Sequence, residues 1–286
     1  MIKFNFSLAV LICLFLTSCD SNNEKSKEAE NVDTIATDNT SVVNEEVTVD
    51  TAGVLKSGGI TLRPLVQSPD FPDAILELNK PEENGKLKPG KVEFNYEIKN
   101  YELKGQTSGF CQDKCANSKD GQHIHLILNN EPYIAKYEPK FEEELKEGHY
   151  VALSFLSRSY HESLKHSQAY DLRQFIVGKA ANKNIDLTKP MLFYSRPKGE
   201  YVGNDTKNIL LDFYLVNTGL SENGNKVKAT INGNEFTITQ WKPYLIEGLP
   251  MGETKIKLEL IDKENKPVKV PFNPVERKII LKQAAS

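Results

Sequence analysis

Four segments of this chain occur twice, in the same order and with the same turns between them. The first set is KVEFNYEI, HIHLILNNEPYIAKY, LKEGHYVALSFLSR and YDLRQFIVG. The second is NILLDFYLV, KVKATINGNEFTITQ, LPMGETKIKLELID and VERKIILKQ. HIHLILNN lies over KVKATING, and Gly148 over Gly252. Self-similarity on this scale marks a duplicated folding module, so residues 56–180 and 184–286 are read as two copies, joined through the polar stretch from Gly178 to Asn184. Each segment is short, rich in β-branched and aromatic residues, and bounded by Gly, Asn, Asp or Pro, as strands are. The stretch EPKFEEELKEG could hold one helical turn at most. Roughly seven short strands per hundred residues, with turn signals between them, indicate an all-β chain built of sandwiches.

The phrases LKEGHYVALSFL and LIEGLPMGETKIKLEL resemble the corner between the fifth and sixth strands of immunoglobulin-like and fibronectin type III modules. That resemblance implies two tandem immunoglobulin-like β-sandwich domains. Alternation then assigns the strand faces. In the second copy Val227, Ala229 and Ile231 alternate with Lys228 and Thr230, so the apolar set faces the core. The matching inward set in the first copy is Ile124, Leu126 and Leu128. His123 and His125 fall in register with Lys226 and Lys228 and are expected to face solvent. The next strand differs between copies, with Val151, Leu153 and Phe155 outward in the first against Lys255, Lys257 and Glu259 in the second. An apolar outer stripe needs a cover, because contiguous exposed apolar surface marks a contact. The second module, a ligand or a protein partner could supply it.

The N-terminus carries one lysine and an apolar run from Phe4 to Leu16, shorter than the ~20 residues that a membrane span needs. Residues 1–19 read as a signal peptide. The small residues before Cys19 resemble a lipoprotein box, so Cys19 is expected to be acylated, with palmitate among its chains, and to become the mature N-terminus. Residues 20–55 read as a disordered acidic tether, since residues 20–50 hold nine acidic groups against two lysines and no aromatic residue. The net charge of -3 for the whole chain becomes +3 once residues 1–50 are set aside. So small a value over the folded part argues against nucleic acid as a partner.

In an immunoglobulin-like sandwich the loop between the second and third strands meets the loop between the sixth and seventh at one end. The first loop carries Cys111 and Cys115 and leads into His123 and His125. The second carries Arg158, Tyr160, His161, Glu162, Lys165 and His166. Three readings compete for this pole. His123 and His125, two apart on one strand face, could bind zinc or copper with His161 as a third ligand. Cys111 and Cys115 are expected to pair as a disulfide in an oxidising compartment, with thiolate ligands or free thiols as alternatives. Arg158, Tyr160, His161, Glu162 and Lys165 could instead recognise a phosphate, a phosphopeptide or a glycan. The SRSYH stretch is similar to the Ser-Arg-x-His motif of forkhead-associated phosphopeptide modules, although one residue longer. No GxSxG elbow, HExxH helix, P-loop or dinucleotide fingerprint occurs, so the chain is expected to be non-catalytic, with no certain cofactor.

The lipobox, the acidic tether, GQHIHLILNNEPYIAKY, LKEGHYVALSFLSRSYHES, SRPKGEY and LLDFYLVN together look like a family of Bacteroidetes lipoproteins, some labelled phosphopeptide-binding. The first module is also similar to extracytoplasmic domains with an HxH strand and a later Leu-x-x-Gly-His element, matched here by His123, His125, Asn129, Gly148, His149 and His161. The family resemblance implies anchoring to the outer membrane, facing the periplasm or the cell surface. Asp20 after the acylated cysteine would mean inner-membrane retention under enterobacterial rules. The expected partners are the membrane, through the anchor, and a protein, phosphate-bearing or glycan ligand.

Overall fold

The computed structural model describes residues 48–50 and 53–285. The signal peptide, Cys19 and the tether up to residue 47 lie outside them.

The strand arrangement repeats as the sequence does. In the first copy a five-stranded sheet runs Lys86–Leu87, Tyr170–Val177, Gly148–Ser157, His123–Leu128, Ile134–Lys136. In the second it runs Gly199–Val202, Val275–Lys282, Gly252–Ile261, Lys226–Ile231, Asn234–Ile238. Each sheet begins with a parallel pair at its edge and is otherwise antiparallel. Opposite each lies a second sheet, built from Ile75–Lys80, Gly90–Lys99 and Lys140–Leu145 in the first copy and from Met191–Arg196, Ile209–Val216 and Tyr244–Glu247 in the second. Two tandem immunoglobulin-like sandwiches follow from this order. Alternation buries one face of each strand. Ile124, Leu126, Phe94 and Phe175 fill the first core, and Val227, Ala229, Ile231 and Leu258 the second.

Two expectations are corrected here. Lys140–Leu145, read as a helical turn at most, is a strand, because only its alternate residues Phe141 and Leu145 meet apolar neighbours. The tether and the first module also have different limits from those read in sequence. Leu55–Ser57 and Ile60–Pro64 form a hairpin that pairs with Tyr244–Glu247 and extends the second sandwich's sheet. Leu55, Ile60 and Leu62 are buried in the second core. Their alternating apolar residues complete a sheet edge that the 56–180 boundary had left open.

The outer stripe of the first copy is covered by the second copy. Val151, Leu153, Phe155 and Ile127 pack on Met191, Phe193, Tyr214 and Val216, and the Phe155 and Tyr214 rings stack at 4.8 Å. Asn130 fastens the same seam, donating to the Leu192 carbonyl at 3.0 Å and accepting from the Tyr194 N–H at 2.9 Å.

A candidate three-histidine metal centre between the modules

His123 and His125 leave their strand on the outer face, as alternation requires, yet both are 0 % exposed. The expected solvent exposure is therefore corrected. These residues share a face with Ile127, and that face is the one the second module covers. His161 comes from the loop after Gly148–Ser157. Its φ of 70° lies in the left-handed region, which costs a residue with a Cβ on the order of 1 kcal/mol or more. Two backbone bonds close that turn, from His161 N–H to the Arg158 carbonyl and from Arg158 N–H to the Glu162 carbonyl, both at 2.9 Å. The result points an imidazole at the other two.

Three ring nitrogens converge. His123 Nε2 lies 2.9 Å from His125 Nε2 and 3.0 Å from His161 Nδ1, and all three fall within 4.8 Å of one another. The orientation of His123 is fixed from behind. Its Nδ1–H donates to the Gly121 carbonyl at 2.7 Å, which leaves Nε2 as the bare nitrogen of a neutral ring. Gly121 has φ +82°, and a Cβ there would sit 2.2 Å from the Lys104 carbonyl oxygen, so glycine is required. His125 Nδ1 lies 3.2 Å from the Ser195 hydroxyl, and His161 Nδ1 lies 3.2 Å from the Tyr133 hydroxyl. His123 and His125 are each held at the nitrogen that points away from the other rings, which is how proteins orient histidine ligands, whereas the Tyr133 hydroxyl meets the converging nitrogen of His161 itself.

The surroundings keep these rings neutral. Burial pushes His123 down to about 4, with smaller contributions from the Arg196 and Lys198 charges. Burial also holds His125 well below its ordinary value, helped by the other two histidines, Arg196 and Lys198. For His161 burial again leads, followed by Arg196. Tyr133 stacks flat on His125 at 3.6 Å, and the Lys198 ammonium lies 3.7 Å from the centre of the Tyr133 ring while donating to the Tyr133 carbonyl at 2.6 Å. Lys198 is itself lowered to about 8 by burial and by Arg196. Arg196 donates to the Tyr201 hydroxyl at 2.8 Å, and its Nε has no partner among the described residues. Neutral, buried imidazoles with converging nitrogens are the chemistry of a transition-metal site.

The structure brings together His123, His125 and His161 and separates them from the other predicted site residues. Cys111 and Cys115 form a disulfide, which removes both thiols as ligands. The recognition loop is corrected in its exposure. Arg158 is buried, donating to the Pro69 carbonyl and to Glu162 Oε1 at 3.0 Å. Glu162 is buried too, and Ser68 donates to it. Tyr160 packs against the disulfide, and Lys165 pairs with Asp212 of the second module. These donors are satisfied inside the protein because the neighbouring module and the segment around Pro69 close over the loop. Four site residues were missed in the sequence: Tyr133, Ser195, Arg196 and Lys198. The signal available for the last three was SRPKGEY, a charged run opening the module that had to cover the apolar stripe.

No family model and no curated protein matches the sequence. Among solved structures, the chain is similar to fibronectin(III)-like modules of Clostridium thermocellum CbhA, with 13 % identity over 73 % of this chain and 95 % of that one at a TM-score of 0.26. It is also similar to a Bacteroides ovatus mixed-linkage glucan utilization locus protein, SGBP-B, solved with a heptasaccharide, at 10 % identity over 72 % of this chain and 47 % of that one with a TM-score of 0.22. A third is the central fibronectin-III array of RIM-binding protein, at 8 % identity over 77 % of this chain and 71 % of that one with a TM-score of 0.24. The fold assignment rests on strand order and pairing, and the class is a tandem immunoglobulin-like β-sandwich protein. What distinguishes this chain is the histidine cluster sealed at the junction of its two modules.

Proposed function

We propose that this protein is a non-catalytic extracytoplasmic binding protein whose ligand is a transition-metal ion of the zinc and copper class, held by His123, His125 and His161. The observation that carries the reading is the convergence of three buried ring nitrogens, with His123 and His125 oriented from behind. Nothing about folding requires it: the second copy builds the same strand with Lys226 and Lys228. Attachment through an acylated Cys19, residence at the outer membrane and kinship with Bacteroidetes lipoproteins belong to the same proposal, and they rest on the N-terminal sequence and the resemblance.

Recognition of a phosphate or glycan by Arg158, Tyr160, His161, Glu162 and Lys165 is the weaker reading, since internal partners already occupy the charged donors of that loop. Elemental analysis of protein purified without a histidine tag, after incubation with zinc or copper and desalting, tests the proposal. One equivalent of metal is expected, lost in the His123→Ala, His125→Ala double variant. Metal-free parent protein under both conditions would refute it.

A further inference from the structure

Apart from metal binding, we infer that the two modules are joined covalently, by an isopeptide bond between the Lys165 side chain of the first and the Asp212 side chain of the second. Asp212 sits in the strand Ile209–Val216, between Leu210 and Tyr214. Its carboxylate is 0 % exposed. By alternation it shares the seam face with those two residues, of which Leu210 packs with Tyr160 and the disulfide and Tyr214 stacks on Phe155. Lys165 reaches across that seam. Its ammonium donates to Asp212 Oδ1 and, at 2.5 Å, to Ser163 Oγ, and it stands 5.9 Å from the centre of the Trp241 ring. The other carboxylate oxygen, Oδ2, accepts the Ser163 N–H at 3.3 Å. A nitrogen touching one oxygen of a carboxylate lies on the order of 3–3.5 Å from its carbon, the separation of a near-attack pair.

Two features set this pair apart from exposed pairs such as Lys99 with Glu97 or Lys282 with Glu200. An ion pair sealed from water carries a desolvation cost that mutual attraction does not fully offset, and condensation to an amide removes both charges. The surroundings also suit the product already. An amide N–H at Nζ keeps Ser163 Oγ as its acceptor, and the amide oxygen, formerly Oδ2, keeps the Ser163 N–H as its donor. The step balances without a co-reactant. One proton passes from Nζ to Oδ1, the nitrogen lone pair attacks Cγ, and the Cγ–Oδ1 bond breaks. The oxygen departs as water, carrying that proton and a second one from the nitrogen. The Ser163 N–H steadies the charge that grows on Oδ2 during attack. Glu162 is suited to carry the second proton. It lines the same cavity as Lys165, the fields of Lys165 and Asp212 both reach it, and burial raises its carboxyl even against Arg158. Exclusion of water from Asp212 disfavours hydrolysis of the finished bond.

Tryptic mapping of the full chain, folded first and then reduced and denatured, tests the bond by mass spectrometry. Cleavage after Arg158, Arg173, Lys207 and Lys226 bounds two segments, residues 159–173 and 208–226. They are expected as one species, uncut after Lys165 and lighter than the two separate peptides by one water. Lys165→Arg keeps a cation opposite Asp212 but has no amine to condense, so the fold should stand and residues 208–226 should appear alone. Asp212→Ala should also release them. Parent protein that is cut after Lys165 and yields residues 208–226 as a separate peptide overturns the inference and leaves the metal reading untouched. A linked species that persists in Lys165→Arg overturns it as well.

Discussion

His123–Leu128 and Lys226–Ile231 are the same strand in two copies of one module, and they present opposite chemistry on the same face. In the second copy Lys228 lies opposite Glu259 and pairs with it at 3.3 Å and with Glu235 at 3.4 Å, while Lys226 donates to Asn265 at 2.9 Å. In the first, His125 lies opposite Phe155, and the whole stripe is sealed by the other module. Strand pairing fixed which residues share a face; what covers the face decided whether it could carry charge. Once the stripe was covered, a lysine there would be a buried, unpaired cation. A neutral imidazole can be accommodated, and it keeps a lone pair free for a ligand.

The largest effect is expected from giving the first copy the character of the second. Phe155→Lys puts an ammonium into the seam against Tyr214, and a loss of about 4 kcal/mol or more in urea unfolding is expected. A loss below about 1 kcal/mol would mean that the modules do not seal this face in solution. Acid should act more gently on the metal-free protein. A histidine held neutral in the fold but free to protonate when unfolded gives the unfolded chain the greater number of bound protons below its ordinary value of 6.5. Stability therefore falls as the pH drops from there, and His123's share is complete once the pH reaches about 4. That share is about 3 kcal/mol, and His125 and His161 add losses of the same sign. Denaturant midpoints measured from pH 8 to pH 4 check this.

A smaller effect is expected at Ser195, which reaches across from the second module to His125 Nδ1. Ser195→Ala should weaken ion binding about tenfold by releasing that ring, with unfolding midpoints little changed. Unaltered affinity would show that the second module covers the site without orienting it. Smallest of all, the Lys226→His, Lys228→His variant copies the histidine pair onto the second module. It should bind no stoichiometric metal in the absence of the first site, because the loop that follows Gly252–Ile261 carries no histidine to act as the counterpart of His161.

The duplication, the strands and their inward faces were legible in the sequence because alternation and turn residues are local signals that survive copying. Ile124, Leu126 and Leu128 are buried where the second copy's Val227, Ala229 and Ile231 said they should be. The disulfide was legible from two cysteines four residues apart. The hairpin Leu55–Pro64 was not, since its partner Tyr244–Glu247 lies far along the chain and no local feature names it. Nor was the burial of the recognition loop, because Arg158 and Lys165 find their partners in residues distant in sequence.

For the site itself, sequence placed His123 and His125 on one strand face and offered His161 as the candidate third group. Alternation and loop order are properties of a chain read one module at a time, so they could settle direction but not environment. Tertiary structure decided the environment. Docking the second module over Val151, Leu153 and Phe155 excluded water from the histidines, held them neutral, and added Ser195, Arg196 and Lys198 to their surroundings. The physical reason is that desolvation and long-range fields depend on what lies across the seam, and nothing within HIHLIL encodes its neighbour.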